Sequence, residues 1–288
     1  MRILLTLFLV SLTLSCKNEK KESQISQPEN ATTEIEKTEE IETDTVENTA
    51  GSVEELFTKT VENAHKKKEF LKKEAVKFDI QLNFNNQERL NATITMFTNS
   101  SKILIQKKNG DQLLYDGERV YLTPRKAKDK GARFDMFTWT YFFGLPYKLN
   151  DPGTKWAMEQ DRTLEKDGVE YSTAKLTFGE NVGDAPDDWY LIYRDPSTQL
   201  IKSAVYIVTY GSNGDISKAE ANPHAIVYNT YEEVAGIPIA TSWSFHDWTA
   251  ERGLGKQLGD AAISNISFLQ VNPETFLPSN NSKTISQP

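Results

Sequence analysis

The sequence contains little cysteine, little histidine and no excess of basic residues. One cysteine among 288 residues excludes an internal disulfide bond and any metal site built from several thiolates. Three histidines leave little material for a histidine-rich metal site. The 33 lysines and arginines are outnumbered by 41 aspartates and glutamates, whereas nucleic-acid binding requires a basic surface. We therefore expect no metal, no other cofactor and no nucleic-acid partner.

The motifs of several enzyme classes are missing as well. The sequence has no Gly-x-Ser-x-Gly pattern and neither of the glycine-rich loops that cradle phosphates. His246 and Asp247 are a candidate base and orienter, but adjacent residues of a strand point to opposite faces. His65 and His224 are interpreted as structural or surface residues. We therefore predict that the protein is not an enzyme, with a hydrolase using His246 as the third alternative.

One acidic loop offers oxygen ligands of the kind that calcium prefers. It contains Asp184, Asp187 and Asp188, with Glu180 and Asn181 nearby. The spacing of these residues does not match the EF-hand loop. We therefore favour a solvated loop over a calcium site.

Residues 1–15 have the features of an export signal. Arg2 precedes an apolar run over residues 3–10, which is too short to span a bilayer. The signal ends in Ser15 directly before Cys16, an arrangement that resembles a bacterial lipoprotein cleavage box. The resemblance implies cleavage before Cys16 and acylation of this residue, which would hold the protein on a membrane. The alternative is an ordinary secretory signal with an incidental cysteine.

Residues 16–50 are predicted to form a disordered acidic tether that starts at the lipidated cysteine. Residues 17–50 include ten acidic residues, four lysines and no aromatic residue. Such a segment cannot bury enough apolar surface to offset its chain entropy. The charged run over residues 16–22 is similar to one that directs some Gram-negative lipoproteins to the outer face of the outer membrane, although simple solubility explains it equally well. We expect a lipid-anchored outer-membrane protein of the cell envelope, on the periplasmic or the surface face.

The rest of the chain shows the patterns of a β protein. Residues 76–84 alternate strictly between apolar and polar side chains, which predicts a strand with one solvated face. Ser52 and Glu55 form a capping-box pattern, which predicts that a helix begins before this strand. Asn-Gly and Asp-Gly dipeptides between later apolar runs favour tight hairpin turns. These patterns predict an antiparallel meander of about eleven strands.

One aromatic segment interrupts the meander. Residues 134–143 contain no turn dipeptide, and Gly144 and Pro146 follow them. We predict a short helix that is apolar on most sides and therefore buried. An open meander leaves an inner face to cover, and this helix and the N-terminal helix would cover it. The predicted fold class is mainly β (α+β): a curved antiparallel sheet, or incomplete β-barrel, wrapped around an N-terminal helix and a short aromatic helix.

Several segments of the chain resemble an uncharacterised family of Gram-negative outer-membrane lipoproteins, which in turn resembles the lipoprotein-carrier fold of LolA and LolB. The segments are residues 52–56, 62–65, 115–121, 139–149, 151–153 and 193–201. The resemblance implies an incomplete barrel closed by helices, with an apolar cavity suited to acyl chains. No lipoprotein-binding residue of the carriers maps onto a position of this sequence. We predict a LolA/LolB-like β domain over residues 51–275 and a flexible tail over residues 276–288.

The aromatic helix carries the candidate ligand-binding residues. Trp139, Phe142, Phe143 and Tyr147 are predicted to line the mouth of a cavity that accepts an acyl chain. The favoured function is non-enzymatic binding of an apolar ligand, a lipid or a lipidated chain, by a membrane-anchored envelope lipoprotein. If these rings fill the interior instead, the protein is a scaffold or interaction lipoprotein with a filled core. We expect a monomer whose partners are the membrane, through acylated Cys16, and a lipid or lipopeptide ligand.

Overall fold

The computed structural model describes residues 51–128, 130–165, 168–210 and 215–287. The predicted signal peptide (1–15), Cys16 and the tether (16–50) lie outside these ranges. No helix within these ranges is long and apolar enough to cross a membrane.

Fourteen strands and a few helices make up the described part of the chain. The strands are β1 (Ala75–Phe84), β2 (Gln87–Phe97), β3 (Ile103–Lys107), β4 (Gln112–Tyr115), β5 (Val120–Thr123), β6 (Thr154–Met158), β7 (Arg162–Thr163), β8 (Glu170–Phe178), β9 (Tyr190–Arg194), β10 (Ile201–Tyr206), β11 (His224–Val234), β12 (Ile237–Thr249), β13 (Gly253–Leu269) and β14 (Lys283–Ile285). The α-helices are α1 (Val53–Ala64), α2 (Lys67–Leu71), α3 (Ala132–Gly144) and α4 (Ile216–Glu220), with 3₁₀ turns at Leu145–Tyr147 and Pro273–Phe276.

The strands form an antiparallel sheet that remains open. Its hydrogen-bonded order is β14-β5-β4-β3-β2-β1-β13-β12-β11-β10-β9-β8-β6, and β7 pairs separately with β8. Strands β1 to β5 form one meander and β8 to β13 form a second, and the pairing of β1 with β13 joins them. Because β14 and β6 end the sheet without pairing with each other, it does not close into a barrel. The predicted mainly β fold with a curved, incomplete barrel is confirmed.

The alternation that predicted the first strand is realised in β1. Phe78, Ile80 and Leu82 are fully buried, whereas Lys77 is exposed. The turn to β2 consists of Asn85–Asn86, whose φ angles of 50° and 60° lie in the left-handed region that asparagine tolerates. The sequence pattern therefore sets both the inward face of the strand and the place where the chain turns.

The two longer helices begin where the sequence predicts or close to it. The side-chain oxygen of Ser52 accepts a hydrogen bond of 3.2 Å from the backbone N–H of Glu55, which caps α1. Helix α3 starts two residues before and ends one residue after the predicted range 134–143. Phe143 of α3 stacks on Phe78 of β1 with ring centroids 4.0 Å apart. This helix therefore packs against the apolar inner face of the sheet, as its composition indicates.

The strand prediction differs from the structure where strands are very short or rich in glycine. Strands β7 and β14 have two and three residues, too few to show a period, which accounts for part of the difference between eleven and fourteen. Residues 253–259 contain three glycines, a composition typical of a loop, but they form the first part of β13. A Cβ atom at Gly253 would lie 2.4 Å from the carbonyl oxygen of Leu164, and one at Gly259 would lie 2.4 Å from that of Asn83. These glycines permit close backbone contact within the strand rather than marking a loop.

The C-terminal segment is not a flexible tail, contrary to the sequence-based expectation for residues 276–288. Phe276 is 1% exposed and packs with Leu104 and Leu114 on the outer face of the sheet. Strand β14 pairs with β5, with Thr284 opposite Tyr121. The outward-facing leucines of β3 and β4 form an apolar patch, and the C-terminal segment stabilises the fold by covering it.

We predict that Phe276→Ala lowers the free energy of unfolding by about 3 kcal/mol, because it removes a fully buried aromatic side chain. Leu277→Ala is the matched control, since Leu277 is 65% exposed and its truncation is expected to change stability by less than about 0.5 kcal/mol. Urea denaturation measures both values. Equal stability of the two variants and the native protein would show that the segment does not pack.

Candidate ligand-binding site

A cavity of about 610 Å³ lies between α3 and the strands β8 to β10. Its lining includes the exposed residues Glu118 and Asn181, so the cavity reaches the protein surface at this rim. Nine aromatic residues contribute to its lining: Tyr115, Phe134, Phe137, Tyr141, Phe142, Phe178, Tyr190, Tyr206 and Tyr210. The volume falls within the range of roughly 300–1,000 Å³ that small-molecule pockets occupy.

One face of α3 supplies its side of the cavity. Phe134, Phe137, Thr138 and Tyr141 recur at three- and four-residue spacing and are only half-buried, because they border the cavity. The opposite face of the same helix contacts the sheet and is fully buried. Helix α3 therefore has two functions, since one side completes the core and the other lines the cavity.

The strands supply the opposite wall as a set of stacked and tilted rings. The Tyr141 and Tyr190 rings lie 5.2 Å apart, and the Phe142 and Tyr206 rings lie 4.8 Å apart. Burial raises the pKa of the Tyr190 and Tyr206 hydroxyls, so both remain neutral at physiological pH. The inner wall is therefore apolar and carries a few uncharged hydroxyl groups.

Two ion pairs neutralise the cations at the rim. Arg133 forms a bidentate pair with Asp184, in which Nη2 donates to Oδ1 at 2.8 Å. The Arg133 guanidinium also lies 5.1 Å from the centroid of the Phe137 ring. Lys148 Nζ donates to Asp151 Oδ2 at 2.7 Å. These pairs hold the loop after β8 and the segment after α3 at the cavity mouth.

Asp188 lies in the cavity wall without such a partner. Its Oδ1 accepts hydrogen bonds of 2.7 Å from both the backbone N–H and the hydroxyl of Thr209. Burial raises the pKa of Asp188 to about 6, although these two hydrogen bonds oppose the shift. No ion pair to Asp188 occurs within the described ranges. It is the acidic group of the cavity wall that burial perturbs most.

A second, smaller cavity of about 220 Å³ borders the same helix. Trp139 lines it, and its indole N–H donates to Asp135 Oδ1 at 2.9 Å. Asp135 is 2% exposed and also pairs with Arg89 at 2.6 Å and Lys107 at 3.1 Å. This network fixes the Trp139 ring against β2 and β3.

The structure separates the four predicted ligand-binding residues. Phe142 lines the larger cavity and Trp139 the smaller one. Phe143 stacks on Phe78, and Tyr147 stacks on Phe70 with ring centroids 3.7 Å apart, so neither borders these two cavities. Ligand binding by these four residues stays a prediction; in the geometry observed, Phe143 and Tyr147 pack in the core away from the two cavities.

Sequence reasoning missed Phe134, Phe137 and Tyr141 on the cavity side of α3. Their spacing indicates that they share one face of the helix. However, a helix with apolar residues on most sides gives no indication of which face borders a cavity. It also missed Asp188, because a carboxylate in an acidic loop is usually solvated. Only the fold brings Thr209 from the end of β10 to this carboxylate.

The histidine candidates do not form a catalytic cluster with a carboxylate. His246 Nε2 lies 3.0 Å from Ser244 Oγ, and its Nδ1 lies 3.2 Å from the carbonyl oxygen of Gly255. Asp247 instead pairs with Arg252 at 3.1 Å, as expected for adjacent residues of a strand. Neither His246 nor Ser244 lines the cavities described above. His224 lines the smaller cavity, and burial lowers its pKa.

The acidic loop does not gather its carboxylates into one metal site. Asp184 pairs with Arg133, Asp188 accepts from Thr209, and Asp187 is exposed. Across the described part of the chain, no group of three or more histidine, cysteine, aspartate or glutamate residues could hold a metal ion.

The fold is LolA-like. A LolA superfamily protein from Nitrosomonas europaea superposes with a TM-score of 0.51 at 9% sequence identity, covering 79% of this chain and 99% of that chain. A DUF1329 family protein from Desulfovibrio piger gives a TM-score of 0.42 at 10% identity, covering 77% and 97%. A domain from Vibrio parahaemolyticus described as an outer membrane lipoprotein-sorting protein gives 0.39 at 11% identity, covering 78% and 96%.

The chain itself belongs to the family of unknown function DUF6503, whose model matches residues 59–248. No curated protein gives a significant match. The predicted resemblance to an uncharacterised family with a LolA-like fold is thus confirmed.

The burial of His65, which directly follows α1, predicts that the stability of the protein depends on pH. His65 is fully buried, its Nε2 accepts a 3.0 Å hydrogen bond from the backbone N–H of Ile201, and burial lowers its pKa from 6.5 to about 3. Because the unfolded chain binds the proton more tightly, stability is complete above pH 6.5 and falls as pH drops below it. We expect His65 to account for a loss of about 2 kcal/mol between about pH 7.5 and about pH 5.

The measurement is urea denaturation of the native protein and of His65→Gln, which keeps a hydrogen-bond acceptor but does not titrate. The variant is expected to lose less stability over this pH interval. Parallel stability curves for the two proteins would contradict the assignment.

Proposed function

We propose that this protein binds an amphiphile in the cavity of about 610 Å³, with the apolar chain of a lipid or a lipidated peptide between α3 and β8–β10. The observation that carries the proposal is the aromatic lining on both walls. Rings of Phe137 and Tyr141 on the helix and of Tyr190 and Tyr206 on the strands line the cavity. Each methylene that such a site removes from water contributes roughly 0.8 kcal/mol.

The shape of the cavity supports a chain with a polar end. Much of the lining is aromatic, and its charged groups include Asp188 and the Arg133–Asp184 and Lys148–Asp151 ion pairs. The cavity therefore offers rings to an apolar chain and polar groups to the other end of the ligand.

The cell envelope is the proposed location. The export signal over residues 1–15 and the lipobox-like position of Cys16 support an acylated anchor, and residues 17–50 would serve as the tether. The LolA-superfamily fold supports the same location and ligand class by analogy only, since one fold hosts many functions.

The alternative function, a scaffold with a filled core, is supported by one observation. Val53 and Leu56 on α1 are 64% and 65% exposed, and they form an apolar surface that a partner could cover. The open cavity favours ligand binding over this alternative.

A cavity-filling variant tests the proposal. Val208 borders both cavities and is half-buried, so Val208→Trp is expected to occupy ligand space and weaken dodecanol binding at least about tenfold. The matched control is Val53→Trp at an exposed position on α1, which is expected to bind dodecanol like the native protein. Isothermal titration calorimetry measures the affinities.

A series of alcohols of increasing length gives a second readout. Affinity is expected to rise by up to about fourfold for each added methylene until the chain fills the cavity. Undetectable binding of every alcohol, or equal binding by both tryptophan variants, would contradict ligand binding in this cavity.

A further inference from the structure

One carboxylate of the cavity wall has an oxygen without a partner. Asp188 Oδ1 is satisfied by Thr209, but no hydrogen bond to Oδ2 occurs within the described ranges. Asp188 precedes Tyr190 by two residues, and the rings of Tyr190 and Tyr141 lie 5.2 Å apart. Asp188, Tyr190 and Tyr141 therefore border the same end of the cavity.

The Tyr141 hydroxyl is a second unsatisfied group at this end. It is buried and has no hydrogen-bond partner among the residues that the structure describes, while the residue itself lines the cavity. A buried polar group without a partner costs free energy, so structures usually satisfy it with water or with a ligand. A carboxylate oxygen and a phenolic oxygen that line one cavity can both accept hydrogen bonds from an N–H donor.

The charge balance of the lining favours a cation. Six charged residues border the cavity, two basic and four acidic. Arg133 and Lys148 are already paired with Asp184 and Asp151. Asp188 and Glu118 keep their charge without a basic partner in the lining, and Asp188 is the deeper of the two. A bound cation would offset the cost of keeping this carboxylate away from water.

We propose that Asp188, together with the Tyr141 hydroxyl of the same cavity wall, binds the primary ammonium headgroup of an amphiphile whose chain occupies the aromatic cavity. This inference rests on the proposed function, since it names the headgroup of the same ligand. An ammonium group has three N–H donors and matches Asp188 Oδ2 and the Tyr141 oxygen, whereas a fatty acid would bring a second negative charge to the carboxylate.

Two ligands of equal chain length test the headgroup separately from the chain. The full-length protein is titrated at pH 8 with dodecylamine and with dodecanol, below their aggregation limits, by isothermal titration calorimetry. The native protein is expected to bind dodecylammonium at least about tenfold more tightly than dodecanol. Asp188→Asn keeps an oxygen for Thr209 but removes the charge, so it is expected to reduce the preference to less than about threefold, chiefly by weakening dodecylammonium binding.

Asp187→Asn is the matched control. Asp187 is the neighbouring residue, is exposed and does not line the cavity, so its substitution removes the same charge without touching the headgroup site. This variant is expected to keep the preference for the amine. Tyr141→Phe is expected to weaken dodecylammonium binding more than dodecanol binding.

The outcomes distinguish this inference from the proposed function. If neither ligand binds the native protein, the proposed function fails and the headgroup site fails with it. If dodecanol binds but dodecylammonium is not preferred, or if Asp187→Asn reduces the preference as much as Asp188→Asn does, the headgroup site alone is overturned. If Asp188→Asn weakens both ligands equally while its near-ultraviolet circular dichroism is unchanged, Asp188 supports the cavity and does not select the headgroup.

Discussion

The structure depends on the need to cover the apolar concave face of an open antiparallel sheet. Strands β14 and β6 do not meet, so the sheet cannot bury its own inner face as a closed barrel would. Helix α3 supplies the missing cover, with Phe142 and Phe143 buried in the core. Tyr228 fixes the helix from β11 by donating a 2.7 Å hydrogen bond to the carbonyl oxygen of Phe142. Because one helix covers only part of the concave face, an aromatic cavity remains beside it.

The cavity combines apolar walls with a few charged groups, and the two basic groups of the lining are in ion pairs. The rim cations are committed to aspartates, and the tyrosine hydroxyls of the inner wall stay neutral because burial disfavours their ionised form. Asp188 is the exception, since Thr209 holds one of its oxygens and nothing in the described residues neutralises it. An uncompensated charge in the buried wall of an apolar site is better suited to selecting a ligand headgroup than to stabilising the fold.

The sequence could predict those elements whose signals are local. The alternation over residues 76–84 predicted β1, and the Ser52–Glu55 pattern predicted the start of α1. It could not predict β13 from residue 253, because Gly253 and Gly259 look like loop residues until the backbones that approach them are known. The packing of Phe276 against Leu104 was also hidden, since an outward leucine in a strand gives no sign that a distant segment covers it.

The candidate site was only partly predictable for a related reason. The aromatic composition of residues 134–143 indicates a buried helix. It does not show whether Trp139 and Phe143 or Phe137 and Tyr141 line the cavity. The contact of Phe143 with Phe78 decides which face enters the core, and that contact joins residues far apart in the chain. Packing between residues that are distant in the sequence therefore decides which face of α3 lines the cavity.

The most direct test of the account is a crystal structure of the protein saturated with dodecanol. The account predicts electron density for one extended chain between α3 and β8–β10, in contact with Phe142 and Tyr206 and with its oxygen toward Asp188. Water alone in this cavity, or a chain bound only at the exposed surface of α1, would contradict it.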